Sequence, residues 1–410
     1  MRVSRVPRPA VHGPSATRSS ASASLDVFAA AAPGLEPLVA RELTALGVRP
    51  GAEPGGVAFR GSFELLARAN LWLRVASRVL VRVASFRAQA FHELERLARA
   101  IPWETYLRPG AAVRFRVTSK KSRLYHTGAI AQRFGEAIEH RLGASVAVES
   151  GAVDEDADST GTEAQLFVIR AFHDGFTVSA DSSGGLLHQR GYRKAVAKAP
   201  MRETLAASLL LAANWSGTER LLDPFCGSGT IPIEAALLAR GIAPGLQRSF
   251  AFQAWPRYDA AMWERLRADA LDAALPKTPA EIIGSDRDAG AIEAAIANAE
   301  RAGVRDDIRF DVRAMSAIDD AAGRAGYIVT NPPYGVRVGE AGRLRDLYAR
   351  FGQVLRAKCP GWRLAMLSAN ERLERELGLA LEQRLRTRNG GIAVKVVTAT
   401  VPDHARVAAE

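Results

Sequence analysis

The 410-residue chain reads as α/β in two parts, a doubly wound and mostly parallel sheet over residues 201–410 preceded by an α+β region over 24–183. Three observations predict this. After Arg202, strand-length apolar runs alternate with amphipathic segments of helical period, the order that builds a parallel sheet. Before residue 184 both periods recur together with a hairpin, so mixed layers are expected there. Between them, Ser182 to Pro200 is rich in glycine and basic residues, and a basic linker is placed at 184–200.

In the first part, strands are expected at Leu25 to Ala29, Val57 to Phe59, Arg78 to Ala84 and Ala112 to Thr118. Helices are expected at Leu35 to Leu46, Phe63 to Leu73, Phe91 to Ile101 and His126 to Leu142. Leu166 to Phe172 and Phe176 to Ser179 form a hairpin across His173-Asp174-Gly175, with Asp-Gly as turn chemistry. The acidic stretch Asp154 to Asp158 reads as an exposed loop. In the second part the strands are Arg220 to Asp223, Glu281 to Ser285, Ile308 to Val312, Gly326 to Val329 and Arg363 to Ser368. Helices fall at Arg202 to Ala213, Ile231 to Ala239, Ala289 to Ala302 and Leu344 to Arg356. Two last strands flank Asn389-Gly390-Gly391 and predict an antiparallel strand at the sheet edge, unlike a nicotinamide-binding sheet.

The formal charge of +11 favours a polyanionic partner, although an Arg-rich composition habit gives the same number. Two cysteines, Cys226 and Cys359, are too few for a disulfide framework or a cysteine zinc site, so a reducing compartment is expected, by default the cytoplasm. No apolar run approaches membrane-span length. Residues 1–23 carry Arg2, Arg5, Arg8 and Arg18 and no acid; Pro7, Pro9 and Pro14 break any amphipathic pattern, so a disordered basic tail is expected rather than a transit peptide. The seven histidines show no metal spacing, and no metal is expected.

Two motifs carry the chemistry. In Asp223-Pro224-Phe225-Cys226-Gly227-Ser228-Gly229-Thr230 the two glycines let backbone approach a ligand at the carboxyl end of a strand, and the Asp223 carboxylate can hold an ammonium. The loop lacks the Gly-Lys-Ser/Thr ending of a phosphate loop, and Pro232 stands where a dinucleotide fingerprint has its third glycine, so an adenosine ligand without phosphates fits better. Asp286 ends the next strand, where an acid can accept from both ribose hydroxyls, though it or Asp288 could equally cap the following helix. The second motif is Asn331-Pro332-Pro333-Tyr334. Its prolines fix an amide and one or more carbonyls after a strand, and Tyr334 offers a flat face to a flipped base. An exocyclic amine has its lone pair delocalised into the base, so it needs acceptors for its hydrogens, and an Asn oxygen with a proline-turn carbonyl supplies them. Together the motifs suggest methyl transfer to an amine. Cys226 does not follow a proline at the fourth strand and is read as a small loop residue, not a nucleophile.

These residues resemble the class I S-adenosylmethionine-dependent methyltransferases that follow a THUMP RNA-binding domain, specifically the bacterial 23S rRNA guanine-N2 methyltransferase family. The resemblance covers nearly the whole chain after the tail. Its further marks are 118–126 (TSKKSRLYH), His188-Gln189-Arg190-Gly191-Tyr192-Arg193, 199–205 (APMRETL) and Ile242-Ala243-Pro244-Gly245. It implies a ferredoxin-like plus THUMP region over 24–183, S-adenosyl-L-methionine held by Asp223 to Thr230, its ribose by Asp286, and the target amine at Asn331 to Tyr334. Relatives often place an acid after the third strand for the adenine amine; this chain has Ala314 there, so Asp311 or a backbone carbonyl near Ala314 is expected to serve. Lys120, Lys121, Arg123, Arg190, Arg193 and Lys194 are the candidate phosphate contacts for shape-directed RNA binding, against the bland reading of a solvated charged face. The family can carry a second methyltransferase domain; ending at Glu410 without one, this chain is expected to make a single modification, with RNA as partner and no obligate protein partner. The rivals are tRNA guanine-N2 or DNA adenine-N6 methylation, and a non-catalytic RNA-binding assembly factor.

Overall fold

The computed structural model describes residues 24–143, 148–149, 164–193, 201–319, 325–334 and 341–403. The expected tail, the acidic stretch 154–158 and Lys194 lie outside the described residues.

The first part runs β1 (Leu25–Ala30), α1 (Glu36–Ala45), β2 (Gly51–Glu53), β3 (Gly56–Gly61), α2 (Phe63–Trp72), β4 (Arg78–Arg87), α3 (Phe91–Arg99), β5 (Val113–Lys120), α4 (Thr127–Leu142), β6 (Val148–Glu149), β7 (Gln165–Phe172) and β8 (Gly175–Asp181). All eight strands join one sheet in the order β2-β3-β1-β4-β8-β7-β5-β6. β5 pairs parallel with β7 and β6; the other pairs are antiparallel. Local chemistry sets the ends of the helices. The Ser62 hydroxyl accepts from the Leu65 amide at 3.2 Å to cap α2, and Gly143 at φ +64 closes α4. α1 to α4 bury their apolar residues on one face, in a core shared with Val27, Val81, Phe167 and Phe176.

The second part comprises α5 (Glu203–Ala212), β9 (Leu221–Asp223), α6 (Thr230–Ala239), α7 (Ala260–Asp272), β10 (Ile282–Asp286), α8 (Ala289–Ala302), β11 (Ile308–Val312), β12 (Tyr327–Thr330), α9 (Ala341–Lys358), β13 (Arg363–Ser368), α10 (Glu371–Glu376), β14 (Glu382–Asn389) and β15 (Ile392–Thr400). The sheet order is β11-β10-β9-β12-β13-β15-β14. Only β15 is antiparallel to its neighbours, so the antiparallel strand sits one place in from the edge, between β13 and β14. α5, α6 and α8 cover one face with Leu221 and Val329, while α9 and α10 cover the other with Ile328 and Leu364. Burial on both faces is what lets a parallel sheet run as continuous apolar strands.

The two sheets share a seam that linker chemistry alone would not predict. Phe250, Phe252, Trp255 and, from α7, Met262 and Trp263 complete the first core, with Phe252 edge-on to Phe63 at 5.7 Å. Gly245 donates its amide to the Leu71 carbonyl at 3.0 Å, and a Cβ there would fall 2.9 Å from Leu71 Cα, so only glycine lets the chain pass. Arg190 and Arg193, expected at phosphates, are turned inward instead. Arg190 is 3% exposed, its Nε 3.5 Å from Glu234 Oε1 and its guanidinium bonded to the Leu187 and Arg74 carbonyls. Arg193 lies 2.8 Å from Glu203 and also binds the Met201 carbonyl. A buried guanidinium must be neutralised in place, which removes both from the solvent face where RNA would bind.

Candidate active site

β9 and β12 are neighbours, so Asp223 and Asn331 emerge side by side at the carboxyl edge of the sheet, where open α/β sheets bind ligands. Thr330 joins the two motifs: its hydroxyl donates to Asp223 Oδ1 at 2.6 Å, and the Phe225 amide donates to the same oxygen at 3.2 Å. Asp223 Oδ2 is buried and has no hydrogen-bond partner among the described residues. Burial pushes this carboxyl up to about 7 against those two hydrogen bonds, and the Asp286 carboxylate adds to the rise. Asn331 Oδ1 is likewise buried, with no hydrogen-bond partner among the described residues.

The glycine loop is held from three sides. Gly227 donates to Asp286 Oδ2 at 3.0 Å, Cys226 donates its amide to the Ser285 carbonyl at 3.0 Å, and the Ser228 carbonyl accepts from Asn298 at 3.1 Å. Gly229 opens α6 at φ +83, and a Cβ there would lie 2.9 Å from the Ala295 Cβ, so this glycine sets how closely α6 and α8 pack. Gly227 differs: its would-be Cβ meets nothing within 4 Å, so the backbone of the loop is open to a ligand at this position. Pro224 and Thr230 bound the turn, and Phe225 rests edge-on against Phe351 at 5.3 Å. The Cys226 thiol is pushed well above its ordinary value by burial and by Asp223, so it stays protonated and is no nucleophile.

Asp288 is the cap of α8, accepting from Gly290 at 2.9 Å, and Asp286 is thereby left to the loop and to the Asp288 amide at 3.0 Å. Asp311 is engaged by Arg309 at 3.2 Å and Arg313 at 3.5 Å, while Ala314 is exposed at the start of a 3-10 turn over Met315–Ala317. In the proline corner Pro332 is buried and Pro333 exposed. Tyr334 is half-buried against the core of the second sheet, and its hydroxyl accepts from Asn389 Nδ2 at 2.7 Å, at the tip of the β14–β15 hairpin. Thr330 and Asn389 carry no motif signal; only the pairing of β9 with β12 and the return of the last hairpin bring them to the site. Lys120, Lys121 and Arg123 are exposed at the far end of the first sheet. Among the described residues no cluster of three metal-ligating side chains exists, and no helix is long and apolar enough to cross a membrane.

A seven-stranded sheet with one inserted antiparallel strand, an open glycine loop after a buried carboxylate with no described partner on one oxygen, and a diproline corner beside it define an S-adenosylmethionine-dependent methyltransferase of Rossmann-like fold. Residues 190–397 match the family model described as RMKL-like, methyltransferase domain, and residues 26–80 match the RlmL ferredoxin-like domain. The chain belongs to the RMKL-like methyltransferase family. It is 36% identical over 387 residues to the ribosomal RNA large subunit methyltransferase K/L of Syntrophotalea carbinolica; that match takes in 92% of this chain and 53% of the relative, so the chain spans about half of that protein's length. Among solved structures, one assigned as a methyltransferase and complexed with SAH superposes with TM-score 0.81 at 32% identity, covering 92% of this chain and 98% of the other. One from Listeria monocytogenes assigned as an N6-adenine-specific DNA methylase also gives 0.81, at 35% identity over 92% and 97% of the two chains.

Proposed function

We propose that this chain transfers a methyl group from S-adenosylmethionine to an exocyclic amine of a base in structured RNA, with guanine N2 of 23S rRNA as the first substrate to test and tRNA guanine N2 as the next. The observation that carries the reading is the pair of buried oxygens, Asp223 Oδ2 and Asn331 Oδ1, on adjacent strand ends, neither with a partner among the described residues. A buried acceptor without a partner costs free energy unless a ligand completes it. When bound, the cofactor supplies an electrophilic methyl on a sulfonium. Asp223 would hold its ammonium, the amides around Gly227 its carboxylate end and Asp286 its ribose; with Asp311 already tied to two arginines, the backbone near Ala314 is left for the adenine. Asn331 Oδ1 and the Pro332 carbonyl accept the two hydrogens of the target amine. That would hold the nitrogen lone pair toward the crevice where the methyl donor would lie, and the proton lost on methylation would leave to water. The resemblance of the names carried by the rRNA relative favours RNA, and the net charge of +11 is in keeping with it. A cytoplasmic site of action follows from that substrate.

The Listeria likeness keeps DNA adenine N6 as a second reading. Labelled methyl incorporation into total RNA and total DNA separates the two. Asn331→Ala is expected to lower turnover at least about 1,000-fold while the cofactor Kd stays within about twofold; near-normal turnover by that variant removes the assigned role.

A further inference from the structure

Among the described residues, helices cover only one face of the first sheet. Phe167, Ile169 and Ala171 of β7 point into the core beneath α1 to α4, so by strand alternation Leu166, Val168, Arg170 and Phe172 point away from it. On that second face the buried apolar residues among those described are only Phe28, Leu80, Leu166 and Val168, all toward one end of the strands. Toward the other end the face is open, and Phe172 stands 58% exposed.

The register places its neighbours. Lys120 of β5 is opposite Phe172, Phe172 is opposite Gly175 of β8, and Gly175 is opposite Arg87 of β4, so one row across four strands reads Lys, Phe, Gly, Arg. The next row on the same face reads Thr118, Arg170, Thr177, Ser85. The glycine leaves the ring's flank uncovered, and the cations on either side are exposed.

Backbone strain gathers at the same edge. Three of the four non-glycine residues with positive φ among those described are Lys121 (+53), His173 (+48) and Asp174 (+63), a conformation that disfavours ordinary side chains and persists only where surrounding bonds impose it. At 173–174 it is the conformation of a two-residue hairpin loop, and Asp174 ties that loop to its neighbours. Its carboxylate accepts from the Arg123 amide at 2.8 Å and from Gln89 at 2.9 Å, and its own amide donates to Ser122 at 3.0 Å. The His173 ring then stands edge-on to Phe172, centroids 4.3 Å apart.

We propose that this open end of the first sheet is a stacking platform for unpaired RNA nucleotides, with the Phe172 ring under a base and Lys120, Arg170 and Arg87 at the flanking phosphates. The proposal shares only the RNA substrate with the reading above and adds a second, remote contact to it. A π-face between cations on a rigid sheet suits a base with its backbone, since every base has a face to stack and a phosphate to pair. A protein partner would need a contiguous apolar patch, and here the ring has His173 on its edge and Lys, Arg, Thr and Ser in the rows about it, with Arg87 4.0 Å from the Asp174 carboxylate.

The test uses the full chain and fluorescein-labelled RNA, a 12-nucleotide single-stranded oligouridine and a 12-base-pair duplex, read by anisotropy. The single strand should bind more tightly than the duplex. Phe172→Ala should weaken it about tenfold, Phe172→Trp should restore it, and Arg170→Gln should reduce the salt slope by about 0.7. Thermal melting should match wild type for each variant, because these side chains are exposed. Absence of single-strand binding, an equal loss on the duplex, insensitivity to Phe172→Ala, or a Phe172-dependent affinity found only for phosphatidylserine vesicles would each overturn the proposal. Methyl incorporation into RNA with ring-insensitive binding rejects the platform alone; ring-dependent binding without any incorporation rejects the methyl-transfer reading alone.

Discussion

Glu203 in the seam and Asp223 in the sheet crevice are both buried carboxyls pushed up to about 7, chiefly by loss of water. What faces them differs. Glu203 has the Arg193 guanidinium at 2.8 Å, a cation supplied by the chain itself. Asp223 has a hydroxyl and an amide on one oxygen, no described group on the other, and another anion, Asp286, as the charge that acts on it. Burial by itself therefore does not mark a functional site. An anion whose counter-charge is resident belongs to the architecture, and one whose counter-charge is missing is arranged for a cationic ligand.

The widest separation between the two regions should come from Glu234, which neutralises the seam. It faces Arg190 at 3.5 Å, accepts from the Tyr192 hydroxyl at 3.1 Å and acts electrostatically on buried Arg74. Glu234→Ala removes the ion partner of buried Arg190 and leaves Glu42 as the anion that still acts on Arg74 and Arg190; it is expected to cost about 3 kcal/mol in urea unfolding. The double variant Glu234→Leu with Arg190→Met should recover most of that loss, because packed apolar groups replace a buried pair at little cost. A Glu234→Ala protein within about 1 kcal/mol of wild type would mean the seam charges are not resident partners at all.

Asp223→Asn should behave the opposite way, stabilising the free protein while weakening cofactor binding about 10- to 100-fold by calorimetry. The direction follows from the raised pKa. Relative to the unfolded chain, the folded state is penalised progressively as pH climbs from the ordinary carboxylate range near 3.8 toward 7, and the amide removes that penalty while still accepting from Thr330 and Phe225. Wild-type cofactor affinity should correspondingly rise about tenfold between pH 6 and pH 8, as Asp223 ionises to meet an ammonium. A flat profile, or an Asn variant that melts lower, would break the contrast with Glu203.

The sequence legibly encodes the crevice and hides the seam. Short motifs at strand ends are read locally: Gly227 and Gly229 announce a loop and Pro332 and Pro333 a fixed corner, while the pairing of β9 with β12, which the alternation of strands and helices does not specify, brings them together at adjacent strand ends. Arg190 and Arg193 failed as phosphate contacts because charge in a glycine-rich segment looks the same whether it faces water or Glu234 and Glu203; the partners lie 44 and 10 residues downstream (234 − 190, 203 − 193). α7 carries Met262, Trp263, Leu266 and Ala270 to the other half's core, and no local pattern says which core an apolar stripe will join. The hairpin at residue 173 shows a smaller limit. Asp-Gly suggested the turn, yet Phe172 pairs with Gly175, so the loop is His173-Asp174 and the glycine belongs to β8.

The finest division between crevice and scaffold falls at Asn389. Its Nδ2 donates to the Tyr334 hydroxyl at 2.7 Å, and its own backbone pairs with Ile392 across the tip Gly390-Gly391. The tyrosine ring adjoins both cores of the second sheet, so its angle is set partly by packing and partly by this one bond. If Tyr334 is a base platform, Asn389 is a positioning residue that acts through it. Losing a single neutral hydrogen bond is worth about 1 kcal/mol, so Asn389→Ala should lower kcat about fivefold, with cofactor Kd and melting temperature nearly unchanged. Asn389→Asp, which can accept from the same hydroxyl, should restore most of kcat. A fall in melting temperature that tracks the fall in kcat, with no recovery in the Asp variant, would instead place Tyr334 among the packing residues and shrink the crevice to Asp223, the glycine loop and Asn331.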